Sequence, residues 1–209
     1  MIKIDKEKIE KLNSNNFYIL ADFDNTITSK ESKSSMGVIN NSEVFDINFR
    51  NEHNELCIKY KEKAIHSKDY SVKNEMWNKT LRGFFELFKK YNLTEDLLKE
   101  IVNNSNIRFR EGFENLFKFL YEKNIPVIIV SAGVKNCIEM FLQKYNAFYD
   151  NIEIISNQIE FDDNGHIKKF PEFIINPANK NKVVFSEDIK LKIRGRENIV
   201  LLRRCTRRY

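Results

Sequence analysis

Phe17-Tyr-Ile-Leu-Ala21 is an unbroken apolar run bounded by Asn16 and Asp22. A run of this length suits a strand buried on both faces, as in parallel sheets. Three further runs have the same character: Pro126-Val-Ile-Ile-Val130, Ile152-Glu-Ile-Ile155 and Asn198-Ile-Val-Leu-Leu202. Between them the apolar period becomes helical. Phe113, Leu116, Phe117 and Leu120 recur at i, i+3, i+4 and i+7, and this helix should end near Asn124, ahead of Pro126. Val134, Ile138, Phe141, Leu142 and Tyr145 form a second stripe. Strands alternating with helices predict an α/β fold with an open parallel sheet and helices on both faces. Such sheets hold ligands beyond the carboxyl ends of their strands.

The alternation fails from about residue 33 to 108. Trp77, Leu81, Phe84, Phe85 and Phe88 share one helical face there, and Leu97, Leu98, Ile101 and Val102 share another. The expected division is a core of residues 1–32 and 109–202, a mostly helical cap of 33–108 inserted after the first strand, and a basic tail of 203–209. The stretch up to about Asn16 reads as an amphipathic helix. Ile159 to Ile167 reads as a hairpin around Asp163-Asn164-Gly165.

Composition alters this picture only at the end of the chain. The 209 residues carry a net charge of +5, but the segment Arg203-Arg-Cys-Thr-Arg-Arg-Tyr209 holds four arginines, without which the balance is nearly neutral. Elsewhere Lys is mixed with Glu and Asp, the pattern of a solvated surface, which argues against a nucleic-acid partner. Cys57, Cys137 and Cys205 have neither disulfide nor metal-ligand spacing. The first residues are charged, and no apolar run approaches the ~20 residues of a membrane span. A reduced, cytoplasmic protein is expected, with no membrane partner; oligomeric state is left open.

The chemistry gathers after the apolar runs. Asp22 and Asp24 stand at i and i+2 beyond the first run, so an extended backbone points both carboxylates the same way. Two close like charges call for a cation, and Mg²⁺ with its preference for oxygen ligands is the natural one. One carboxylate can attack phosphorus while the other handles protons. The plain alternative is a turn or helix cap; a calcium loop fails because Ile27 occupies the place of the required glycine. Ser131-Ala132-Gly133 ends the second run ahead of a helix, where a hydroxyl and backbone N–H groups can receive phosphate. Asn179-Lys180-Asn181-Lys182 can supply an ammonium against phosphoryl charge. Taken singly, the first of these is a Ser/Gly turn and the second a pair of surface lysines.

Together these segments resemble the haloacid dehalogenase superfamily: Asp22-Phe-Asp-Asn-Thr26 is similar to its first motif, Ser131 to its second and a downstream lysine to its third. Val130-Ser-Ala-Gly133, Ile155-Ser-Asn-Gln-Ile-Glu-Phe-Asp-Asp-Asn-Gly165, Asn179-Lys-Asn181 and Arg110-Glu-Gly-Phe-Glu-Asn115 resemble the pyrimidine 5′-nucleotidase family, also called cytosolic 5′-nucleotidase III. The likeness runs from about residue 17 to 202. It implies hydrolysis of (pyrimidine) nucleoside 5′-monophosphates through an aspartyl phosphate, with Mg²⁺ as cofactor. Asp22 would be the nucleophile and Asp24 the proton donor and acceptor, both touching the metal. Ser131, Lys180 and the backbone at Ala132 and Gly133 would hold phosphate, and Ser156 would lie near phosphate or ribose. Glu75-Met76-Trp77 resembles a Glu-Trp-Trp segment, so Glu75 would contact the base and Trp77 line its pocket; core packing explains Trp77 equally well. Asn176-Pro177-Ala178 departs from a more polar family segment, and Lys182 can stand in for Lys180.

The family also carries an acidic pair, Gly-Asp-x-x-x-Asp, after the fourth strand. Here the arginine tail follows Leu202 instead. A permitted codon choice for that tail, AGG AGA TGT ACT AGA AGA TAT, encodes Gly-Asp-Val-Leu-Glu-Asp when its first base is dropped. The expectation is a C-terminally truncated relative whose tail is a frameshift product, with weak Mg²⁺ binding, little turnover and an exposed apolar sheet edge that lowers solubility. The alternatives are another small-molecule phosphatase of the superfamily, a non-catalytic relic, and a nucleic-acid binder using its basic tail.

Overall fold

A computed structural model describes residues 15–183 and 185–203; the helix expected at the amino terminus and the tail past Arg203 lie outside the described residues. The strands are β1 (Phe17–Ala21), β2 (Val127–Val134), β3 (Ile152–Asn157), β4 (Glu160–Phe161), β5 (Ile167–Lys169) and β6 (Asn198–Leu202). Four of them form a parallel sheet in the order β3-β2-β1-β6. Within it β1 is an interior strand, Ile19 lying opposite both Val127 and Val200. That position is what an uninterrupted apolar run demands, since both of its faces meet other elements. β4 and β5 make the expected antiparallel hairpin, turning through Gly165 at φ 76°.

The second run is longer than its apolar residues. Extended structure continues through Ser131, Ala132 and Gly133, and the following helix starts only at Lys135. The cause is polar. Asn157 Nδ2 donates to the carbonyls of Ala132 and Gly133, both at 3.1 Å, and Ser156 Oγ donates to the Gly133 carbonyl at 2.9 Å. These bonds hold the backbone straight beside β3, across a register shift between Val130 and Val134.

The helices are α1 (Ser35–Asn40), α2 (Ile47–Leu56), α3 (Glu62–His66), α4 (Tyr70–Lys90), α5 (Glu95–Asn104), α6 (Phe113–Glu122), α7 (Lys135–Lys144) and α8 (Glu187–Lys192), with a π-helical turn, Cys57–Lys61, joining α2 to α3. Ser34, Asp46, Asp69, Thr94 and Ser186 each accept an N–H of the first turn they precede, the service N-cap residues provide. At the other ends asparagine does the work usually left to glycine. Asn92, Asn124 and Asn146 take left-handed φ of 52°, 52° and 51° after α4, α6 and α7. The next residue then folds back: Leu93, Ile125 and Ala147 donate to Phe88, Leu120 and Leu142, each at 2.8 Å.

One face of the sheet carries the main core. Phe23 packs edge-on against Phe141 of α7 at 5.4 Å between ring centres, and Phe109 leans on Phe117, Phe141 and Tyr145. On the other face Ile189 of α8 packs with Tyr18 and Ile128. The helical insertion between β1 and β2 divides its contacts: α1 and α5 pack on α7, whereas α2, α3 and α4 pack among themselves. Along β6, Ile199 and Leu201 remain 54% exposed. Because Phe141 joins the Phe23 and Phe109 clusters, Phe141→Ala should lower the unfolding free energy by about 3–5 kcal/mol, read by urea denaturation; a loss below ~1 kcal/mol would show that the aromatic cluster repacks around the gap.

Candidate active site

β1 delivers two acids to the carboxyl edge of the sheet. The Asp22 N–H donates to the Leu202 carbonyl at 3.0 Å, extending the β1–β6 ladder by one bond. The chain then winds into a π-helical turn, Phe23–Ile27, in which Asp24 and Asn25 keep non-helical angles; Phe23 is fully buried, while Asp22 and Asp24 both line one cavity. Asn25 adopts φ 61°, and the turn it begins is clamped from outside. Arg110 donates from Nε to the Thr26 carbonyl at 2.9 Å, from Nη2 to the Asn25 carbonyl at 2.6 Å and from its N–H to the Ile27 carbonyl at 2.8 Å.

The two carboxylates have different partners. Lys180 Nζ lies 2.8 Å from Asp22 Oδ1. Asp24 accepts from the Ser35 N–H at 2.7 Å and from Ser35 Oγ at 3.1 Å, at the first residue of α1. Burial raises the Asp24 carboxyl to about 6; the Ser35 hydrogen bonds and the Lys180 charge pull it down, while the Asp22 charge pushes it up. An acid held near neutrality is suited to passing a proton in either direction.

Lys180 opens the short 3-10 turn Lys180–Lys182. Lys182 faces elsewhere, with its ammonium 4.0 Å from the centre of the Tyr70 ring. Of the two lysines, Lys180 is the one brought to the acids.

These groups open onto a cavity of about 1090 Å³. Asp22, Asp24, Asn25 and Lys180 line one end of it, and Trp77 and Lys61 reach it from the helical insertion. The expected phosphate loop stands behind this lining rather than on it. Ser131 is buried and its Oγ accepts the Gly133 N–H at 3.1 Å, while Ser156 and Asn157 hold the carbonyls of Ala132 and Gly133. Glu75, expected at the base, sits off the cavity and pairs with Lys79 at 2.6 Å on the surface of α4. Two residues along a helix are a turn of about 200°, so Glu75 and Trp77 do not share a face.

Sequence reasoning missed Ser35, Asn157 and Asn176, and gave Arg110 no task. Arg110 and Asn157 hold backbone carbonyls of other segments, Ser35 holds the Asp24 carboxylate, and Asn176 bonds two side-chain amides of α4 and the N–H groups of its own turn, contacts that no motif spacing announces. The one available signal was a polar side chain placed at the end of an apolar run, as Asn157 is.

A magnesium ion fits these residues only in part. Among the described residues no three Asp, Glu, His or Cys side chains gather at one point. Asp22 and Asp24 supply carboxylates from one side, already engaged by Lys180 and Ser35, and Arg203 lines the cavity beyond β6. The described residues alone therefore do not complete an Mg²⁺ site.

An interior parallel strand ending in an acid pair, a lysine on the first acid and a helical insertion after that strand define a hydrolase fold of the haloacid dehalogenase type. A HAD-family hydrolase from Salmonella enterica serovar Typhi shares the fold at 18% identity and a TM-score of 0.61, over 92% of this chain and 57% of that one. Residues 19–205 match the pyrimidine 5′-nucleotidase (UMPH-1) family, and the chain belongs to that family. It is 28% identical over 207 residues to the 7-methylguanosine phosphate-specific 5′-nucleotidase A of Xenopus laevis, covering 93% of this chain and 70% of that protein. It also resembles the crystal structure of cytosolic 5′-nucleotidase IIIB bound to cytidine, with 25% identity and a TM-score of 0.77 over 89% of this chain. The chain spans 65% of the length of that structure.

Gly133 and Ser35 meet where the β2 extension passes α1. A Cβ on Gly133 would fall on the Ser35 hydroxyl, which in turn holds Asp24. Gly133→Ala should cost about 1–3 kcal/mol in denaturant unfolding. Adding Ser35→Gly should recover part of that loss; strictly additive losses would show that the two residues do not collide.

Proposed function

We propose that this protein is a nucleoside 5′-monophosphate phosphohydrolase working through an aspartyl phosphate on Asp22, with pyrimidine nucleotides as substrates. The observation that carries this reading is the pairing of Asp22 and Asp24 on one cavity with the Lys180 ammonium 2.8 Å from the first of them. A carboxylate oxygen of Asp22 attacks phosphorus and the bond to the 5′-oxygen breaks. Asp24 gives its proton to the departing oxygen, which leaves as the nucleoside hydroxyl. Water then attacks phosphorus, Asp24 takes its proton, the bond from phosphorus to Asp22 breaks, and inorganic phosphate leaves with the Asp22 carboxylate restored. Lys180 offsets charge on the phosphoryl oxygens throughout. The helical insertion serves as the cap, with Trp77 as an aromatic wall for the base. In this reading Asp22 and Asp24 would meet Mg²⁺ from one side of the cavity.

A second substrate reading rests on two observations. Relatives at 27–28% identity from frog, rodents and human bear the name 7-methylguanosine phosphate-specific 5′-nucleotidase. Trp77, the chain's one tryptophan, lines the cavity, and an indole face favours a cationic ring such as 7-methylguanine.

The test combines trapping with a substrate panel. Acid quenching with ³²P-labelled CMP should leave label on the wild-type protein and none on Asp22→Asn. Phosphate release should fall by about 10³-fold or more in that variant, as expected for a lost nucleophile. Rates with CMP, UMP, AMP, 7-methyl-GMP and a sugar phosphate rank the substrates; a sugar phosphate ahead of every nucleotide would point to another small-molecule phosphatase. Neither label nor release with any of them would sink the enzymatic reading for this chain.

A further inference from the structure

Tyr70, Asn74, Asn78 and Arg82 follow one another at four-residue spacing and so form a line along α4. All four touch the segment 172–182, which carries Lys180. The Lys182 ammonium lies against the Tyr70 ring; Asn176 Nδ2 donates to Asn74 Oδ1 at 2.9 Å and to Asn78 Oδ1 at 2.8 Å; Arg82 Nη2 donates to the Glu172 carbonyl at 2.6 Å. Asn176, in the middle of this seam, has no exposed surface.

The chemistry of Asn176 fixes which way its amide points. Its Oδ1 accepts the N–H groups of Ala178 at 2.8 Å and Asn179 at 3.1 Å, and a backbone N–H can only donate. The Nδ2 group must therefore face α4, and Asn74 and Asn78 must present oxygen to it. The backbone carbonyl of Asn176 accepts the Lys180 N–H at 3.0 Å. One buried side chain is thus bound to α4 on one side and to the turn that starts Lys180 on the other. Trp77 precedes Asn78 on the same helix, so the aromatic wall and the ammonium are set by a common contact.

We propose that Asn176 is a positioning residue that transmits the seating of α4 to Lys180, so that the ammonium reaches Asp22 only while the helix bearing Trp77 is docked. The consequence for turnover rests on the phosphohydrolase reading; the coupling itself does not.

The experiment removes the acceptors on α4, neither of which lines the cavity. Asn74→Leu with Asn78→Leu strips both oxygens, Asn78→Ala strips one, and Asn78→Asp keeps an acceptor in place. Hydrogen exchange at the Asn179 and Lys180 amides should quicken about 10-fold or more in the double variant while β1 and β2 stay unchanged, reporting local opening of the turn. Asn78→Ala should move the same way by a smaller factor and keeps the test alive if the double variant does not fold. Asn78→Asp should stay near wild type. With CMP, kcat should fall about 10-fold in the double variant and KM should hold within about threefold, the signature of a contact that matters in the transition state. Unchanged exchange at Asn179 and Lys180 overturns the proposal. So does a raised KM at constant kcat, which would assign the seam to shaping the nucleoside pocket alone. If the wild type hydrolyses no phosphate ester, the enzymatic reading fails by itself, and exchange alone decides the coupling.

Discussion

Burial of the Phe23 ring is the constraint on which the site depends. Its place between Asp22 and Asp24 means that seating one aromatic side chain against Phe141 aims two carboxylates away from the core. The driving force is apolar and non-directional, yet the turn Phe23–Ile27 at the end of β1 gives it a direction for charge. Everything polar at the site then adapts to that outcome. Ser35 receives Asp24, Gly133 leaves room for Ser35, and Asn157 keeps Gly133 extended. Each link is a contact between different segments of the chain, so the acid pair is held by the sheet and its neighbours together.

What could be read in advance followed from periodicity. The four apolar runs became the four strands of the sheet: the two buried runs, β1 and β2, took its interior, while the 198–202 run kept its bounds unchanged as an exposed edge. Trp77, Leu81, Phe84, Phe85 and Phe88 did lie on one helix, and α4 buries the last four of them. Periodicity was silent where polar side chains decide the backbone. β2 outlasts its apolar residues because Asn157 and Ser156 hold carbonyls, and Ser, Ala and Gly carry no strand signal of their own. Glu75 was placed by a short local likeness, whereas the geometry of α4 sends it to the surface with Lys79. Lys180 and Lys182 were interchangeable in sequence; the turn between them separates an ion pair with an acid from a contact with an aromatic ring.

Asparagine is the residue that most shapes the non-periodic parts. Three helices end on it in the left-handed region, where its short amide tolerates what other L-residues resist. Two more, Asn157 and Asn176, are buried with both ends of the amide engaged and join segments that share no ladder. A buried amide of this kind is costly to leave unpaired, so it enforces one arrangement where apolar contacts would accept several.

The ion pair between Lys180 and Asp22 has a consequence for traffic through the cavity. While the pair is closed, the ammonium already has a counterion, so a passing anion gains only the difference between two partners. On the phosphohydrolase reading, that difference favours a dianionic phosphate monoester over a monoanion, and the Asp22 carboxylate is at hand to pair with the ammonium again once phosphate has left.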